Sequence, residues 1–385
     1  MLRQTLHVEK EEGLIYADAM KLSNPLPDEA LSEASRITVT EALGVAPGER
    51  VLIITNPLAD VDEISRYLYH WVREVGGVPN LLWQEPKTLL DPMDKAVRAA
   101  LLSEPEVYIS ISANKLGKDV EGVAKPYLAP DGTPYNSLPM FLINGKKCTR
   151  GFWSPGITRH LYAKTVPVNY RRLKADCQWL AERLTKAVAV RITSPGGTEV
   201  TFSVNGREAK LDDGDFRLPG AGGNLPAGEA FISPVNGSTE GRIVYDGSMS
   251  TKDGTLFLYH PITVEFEEGY ISQIAGGEEA EALAETIREG EEKADALSDK
   301  AEEYRRNARH LGELGIGVNP LAGITGNMLV DEKAARTCHL AIGSNYDNDG
   351  PALIHLDGLV KEPTIELEMD DGTRLVLMED GEMKR

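Results

Sequence analysis

The chain has 385 residues, 60 of them acidic and 41 basic, for a formal net charge of −19. That length suits two domains, and that charge repels nucleic-acid backbones and anionic membranes, so neither is an expected partner. Hydrophobic residues make up 41%, enough for ordinary cores, and no run of 18 apolar residues suggests a membrane span.

In chain order, DEALSEASRITVTEALGV (28–45) reads as an amphipathic helix and RVLIIT (50–55) as a buried strand. DVDEISRYLYHWVREVGG (60–77) follows as a helix, with Val61, Ile64, Leu68, Trp71 and Val72 on one face. NLLWQ (80–84), DPMDKAVRAALL (91–102) and VYISIS (107–112) then read as strand, helix and strand, and SLPMFLI (137–143) as a further strand. Residues 144–160 read as a crossing segment, and YRRLKADCQWLAERLTKA (170–187) as a helix. The alternation predicts an α/β N-terminal domain with a mostly parallel sheet, over 1–170. No G-x-G-x-x-G follows a strand, so dinucleotide binding has no support.

Beyond residue 187 the texture changes to alternating strands and glycine turns: VAVRITS and TEVTFSVNG as a hairpin, then RIVYDGSMS, TLFLYH, ITVEFEEGYISQI and TIELEMDDGTRLVLMED. One long charged helix, 278–310, interrupts them. This predicts a mostly antiparallel α+β C-terminal metal-binding domain, 171–385.

Cys148, Cys177 and Cys338 form no C-x-x-C pair, and MLRQTLHVEKEEG has no apolar leader core, so a cytoplasmic protein is expected. His7, His70, His160 and His260 have no ligand pattern around them, and Ser154 is not in a G-x-S-x-G elbow.

The chemistry concentrates in the second half. In PALIHLDGLV, a strand would put His355 and Asp357 on one face, roughly 6.6 Å apart along it. In TCHLAIG, His339 and Ala341 share a face while Cys338 turns into the core. Glu313 lies among apolar residues and glycines in LGELGIGVN, where a carboxylate is costly unless paired or metal-bound. Glu229 follows the turn in NLPAGEAFISP. The plainer alternative for each is a hydrogen-bonded core histidine or a strand-edge glutamate.

LGE, DEKAARTCHLAIG, a tyrosine and H-x-D, together with NLPAGE, resemble the M29 family of metallo-aminopeptidases, the thermophilic aminopeptidase T and S group. The resemblance implies a homodimer acting on small peptides. It also implies two divalent ions (zinc, cobalt, manganese or magnesium) held by Glu229, Glu313, His339, His355 and Asp357. Tyr346, seven positions after His339, falls where the family has its catalytic tyrosine. By two-metal chemistry Glu313 would bridge the ions, Glu229 would shuttle a proton and Tyr346 would bond the oxyanion. Two features depart from the pattern. Asp331-Glu332-Lys333 stands where the family has Asp-Glu-Asn, and only fifteen residues separate His339 from His355, a span that carries a longer insertion in the peptidases.

The same segments resemble a sister group, the mononuclear iron ring-cleaving dioxygenases related to 2,5-dihydroxypyridine dioxygenase, which have a compact loop there. That likeness implies Fe(II), with His310 a candidate third ligand beside His355 and Asp357; its alternative role is to complement a helix C-terminus. A non-catalytic metal-binding protein on the same fold is the third reading.

Overall fold

A computed structural model describes residues 28–88 and 91–385; His7 and the rest of the N-terminal stretch lie outside them. The described residues form two compact units. One comprises those up to Pro167 together with Asp215–Leu225, and the other comprises Val168–Gly214 and Pro226–Arg385.

The first unit holds a five-stranded, all-parallel sheet in the order Gly222–Asn224, Arg150–Pro155, Val107–Ser112, Arg50–Thr55, Val78–Trp83. The central strand Val107–Ser112 is buried at every position, as a strand covered on both faces must be. Leu52, Ile54 and Tyr108 from the sheet pack with Val97, Leu101, Leu138 and Leu142. The helix Ala59–Glu74 crosses from the first strand to the second and buries Val61, Ile64, Leu68 and Val72.

Two expectations fail here. SLPMFLI is helical, Leu138–Met140 running into a wider turn at Phe141–Gly145. Pro139 fits the first turn, where no N–H is needed, and Leu138 and Leu142 fall four apart on the buried side. The fourth parallel strand is instead RGFWSP, Arg150–Pro155, inside the supposed crossing segment. Its opening arginine hides it from a hydropathy reading, but the Arg150 guanidinium is buried against Glu49 at 2.6 Å. Gly151 lets that strand approach its neighbour, since a Cβ there would meet the Tyr108 carbonyl oxygen. Residues 215–225 return to add the edge strand Gly222–Asn224.

The second unit is built on two antiparallel sheets. The eight-stranded one runs Tyr270–Ala275, Ile262–Glu267, Glu240–Tyr245, Glu199–Ser203, Ala187–Thr193, Thr364–Met369, Arg374–Glu379, Glu382–Met383. The seven-stranded one runs Gly254–Phe257, Ser248–Thr251, His355–Lys361, Thr337–Gly343, Leu311–Gly317, Glu229–Ile232, Lys210–Asp212. The helix expected over 278–310 is three pieces: Glu278–Ala294, a 3₁₀ stretch Asp295–Lys300, and Ala301–Asn307. Aspartate is a poor helix former because its side chain competes for backbone hydrogen bonds, and Asp295 and Asp299 both fall in that 3₁₀ stretch. The first helix is likewise Glu29–Ile37 followed by a π turn, Thr38–Ala42. Among the described residues no helix is long and apolar enough to cross a membrane.

Candidate metal centre

The site lies on one face of the seven-stranded sheet and follows from strand register. Residues directly opposite one another in a ladder share a face. Glu313, Ala341 and Asp357 stand in one row across three strands; Gly315 faces His339 in the next row, and Gly343 faces His355 on the other side. At 341 and 343 the middle strand offers only a methyl and a hydrogen, so Glu313 from one flanking strand and His355 and Asp357 from the other can meet above it, beside the middle strand's own His339. Gly315 is required for this packing. A Cβ there would lie 2.0 Å from His339 Cε1, because the imidazole lies across the bare backbone. Glu229 enters from the next strand, opposite Gly317.

The five expected ligands form a continuous chain of contacts. His355 Nε2 is 3.1 Å from a Glu313 oxygen and 3.2 Å from Asp357 Oδ1. His339 Nε2 is 3.4 Å from the other Glu313 oxygen and 3.6 Å from Glu229 Oε2. Glu313, His355 and Asp357 are the tightest group: one donor atom from each lies within 4.8 Å of the other two, and among the described residues no other trio of His, Cys, Asp and Glu is as compact. His355 Nδ1–H donates to the Ser344 carbonyl at 2.7 Å, which leaves Nε2 facing the carboxylates.

Glu229 turns its other oxygen elsewhere. Lys333, fully buried, places its Nζ 2.5 Å from Glu229 Oε1, 2.8 Å from Glu332 Oε1 and 3.2 Å from Asp212 Oδ2. Lys333 is held by its backbone, since its carbonyl accepts from the Asn319 amide. Asp331, just before it, accepts from the Thr325 and Gly326 amides and fixes the preceding turn.

Charge explains the protonation of these groups. Burial disfavours their ionised forms, but in Glu313 and Asp357 the adjoining imidazoles outweigh it and hold the carboxyls below their usual range. Burial likewise opposes protonation of the imidazoles, yet Glu313 and its neighbours push His339 up to about 9, and Asp357 and Glu313 push His355 well above the ordinary histidine value. Burial raises Glu332 to about 8 despite Lys333.

Tyr346 sits beside this nest. Its ring centroid is 5.3 Å from that of His355 and 5.2 Å from that of Phe231, both edge-on, and half of its surface is exposed. Lys210 Nζ bonds the Tyr346 carbonyl at 3.2 Å and Asp347 at 3.0 Å, while Arg207 pairs with Asp349 at 2.8 Å, so the loop carrying the tyrosine is tied at both sides. Burial of the phenol, then the field of Glu313 and Asp357, raises its pKa.

His310 is not part of the trio Glu313, His355 and Asp357. It lies just beyond the end of the helix Ala301–Asn307 and is buried near Gly350 and Asn345. Sequence reading missed Asp212 and Gly315 altogether. Lys333 was visible only as the odd third residue of Asp-Glu-Lys.

A family model described as NicX, 2,5-dihydroxypyridine 5,6-dioxygenase, matches residues 160–342. The structure is similar to that of 2,5-dihydroxypyridine dioxygenase from Pseudomonas putida KT2440, with 16% identity and a TM-score of 0.68 over 94% of this chain and 98% of that one. It is also similar to wild-type AmpT from Thermus thermophilus, with 17% identity and a TM-score of 0.62 over 92% of this chain and 99% of that one. At such identities the likeness is one of fold. No curated protein matches the sequence.

Proposed function

We propose that this chain is a metal-dependent dioxygenase that opens a hydroxylated aromatic or N-heteroaromatic ring at a cation held by Glu313, His355 and Asp357. The observation that carries this reading is the row of rings, Phe231, Tyr346 and His355, leading into the carboxylate nest. A planar substrate can extend such a row and present its hydroxyl to the cation, with aromatic contacts adding to its binding. The match to the dioxygenase family model supports the same choice, and so does the short span between His339 and His355.

The residues fit a cation. Glu229, Glu313, Glu332, Asp357 and Asp212 face one ammonium and two imidazoles, so the cluster stays anionic even with both histidines charged. Buried charge of one sign is costly and calls for a counter-ion. Imidazole with carboxylates suits Fe(II) among other divalent ions. Bound there, ferrous iron would supply the one-electron chemistry that lets dioxygen react with a closed-shell ring. In the overall change one ring C–C bond breaks and both oxygen atoms enter the product. The ring supplies all four electrons, so no external reductant is needed.

The chain's own groups set up that reaction. His355 is oriented by its bond to Ser344, and Glu313 by two imidazoles. Tyr346, with its raised pKa, stays a hydrogen-bond donor at neutral pH and can hold a ring oxygen. Glu229 Oε2 makes no hydrogen bond and can receive the proton that a ring hydroxyl loses on binding.

The competing reading is peptide hydrolysis, which the M29 resemblance implies and the fold likeness to AmpT keeps open. An oxygen electrode decides between them. Chain loaded anaerobically with Fe(II) should consume oxygen when given 2,5-dihydroxypyridine or a related dihydroxylated ring, as the ring absorbance falls. Release of amine from amino-acid amides with zinc, cobalt or manganese, and no oxygen uptake with any ring, would overturn the proposal.

A further inference from the structure

We infer that Lys333 is this site's second cation: a tethered ammonium that stands where a two-metal centre would hold its second ion, so that the folded chain takes one divalent metal. The inference rests on the cation nest proposed above. It adds how many ions that nest holds and why.

An ammonium has three N–H donors. Lys333 meets three carboxylates, at 2.5, 2.8 and 3.2 Å, and no surface of the residue reaches solvent. Lysine is almost never so buried unless paired, and here the pairing is complete. One of its carboxylates, Glu229, belongs to the ligand set that the two-metal resemblance implies, and the ammonium already holds one of its two oxygens, Oε1, so Glu229 cannot give both to a metal. A divalent ion bound to a carboxylate oxygen sits at about 2.0–2.2 Å. Placed there, it would lie almost against Nζ, in a buried setting where like charges repel strongly. The ammonium cannot retreat easily, because its backbone is bonded to Asn319 and the preceding turn is pinned by Asp331. The other end of the cluster is different: Glu313, His355 and Asp357 converge, and among the described residues no lysine or arginine pairs with them. One end of a single carboxylate row therefore carries its own cation, and the other is open to a metal.

Lys333 then has a positioning role. By holding Glu229 Oε1 it aims Oε2 at His339 Nε2, 3.6 Å away, and so orders the imidazole that also touches Glu313.

The test is metal stoichiometry, by elemental analysis after dialysis and by calorimetric titration with Zn(II) or Mn(II). Wild type should bind one ion per chain. Glu229→Gln should still bind one, because Glu229 serves the ammonium. Lys333→Asn should gain a second equivalent, and the double variant Lys333→Asn, Glu229→Gln should lose it. Two ions in wild type would overturn the inference, as would a fall below one in Glu229→Gln. A folded Lys333→Asn that still binds one ion would overturn it too. If Lys333→Asn does not fold, wild type and Glu229→Gln still decide. A wild-type chain that binds no ion fails the nest itself, whereas one that binds two and still consumes oxygen with a ring substrate fails only this inference.

Discussion

Replacing Gly315 by alanine should disable the site without touching any charged group. The added methyl would stand 2.0 Å from His339 Cε1 and 2.1 Å from Nε2. Carbon atoms in contact sit roughly 3.5–4.0 Å apart, so the imidazole must retreat by about 1.5 Å or the strands must separate. Both strands are fully buried, and residue 315 is paired directly with 339, so neither response is free. Overpacking of this kind costs about 1–3 kcal/mol. A retreating ring also breaks the 3.4 Å contact with Glu313. Loss of a partner that orients a metal ligand typically weakens metal binding by about 10–100-fold. Thermal unfolding of the metal-free protein, together with a metal titration, reads both effects. Gly323→Ala is the control, since nothing lies within 4 Å of a Cβ there. If Gly315→Ala matched that control in both stability and metal affinity, the packing argument for His339 would be wrong.

Three further outcomes follow from the same geometry. Tyr346→Phe should leave metal content unchanged and lower turnover by about 10–1,000-fold, as the loss of one well-placed donor does; unchanged turnover would remove the tyrosine from the reaction. Metal binding should strengthen as pH rises from 6 to 8. His339, pushed up to about 9, and His355, raised well above the ordinary histidine value, carry protons that a metal must displace, so affinity should gain up to about tenfold per pH unit for each proton released; a flat calorimetric profile would contradict that. Burial holds His310 down to about 4, below its unfolded value of about 6.5, so the stability it lends is present above 6.5 and lost as pH falls towards 4. The loss is on the order of 3 kcal/mol, and His310→Gln should not show it in urea unfolding at the two pH values.

The C-terminal strands were legible because period-two alternation survives burial on one face, and H-x-D announced its own convergence. The row Glu313, Ala341, Asp357 was not legible, because a row depends on register between strands 28 and 16 residues apart, and register leaves no local mark. Arg150–Pro155 was misread because one buried ion pair, with Glu49, put a charge at the head of a parallel strand. SLPMFLI reads as a strand because a short apolar run fits a strand or a buried helix equally; Pro139, at home in a first helical turn, is the residue that separates the two. Lys333 shows the same limit in the site. In sequence it is one lysine in an acidic, helix-like stretch; only the fold brings Asp212 and Glu229 to it, from strands more than 100 residues upstream.

Anomalous diffraction at the iron edge, from crystals grown with Fe(II) under anaerobic conditions, tests the central claim most directly. The account predicts a single peak per chain, within bonding distance of His355 Nε2, Glu313 and Asp357, with the Lys333 ammonium still seated on Glu229. A peak beside Glu229 with Lys333 displaced, or none among these residues, would contradict it.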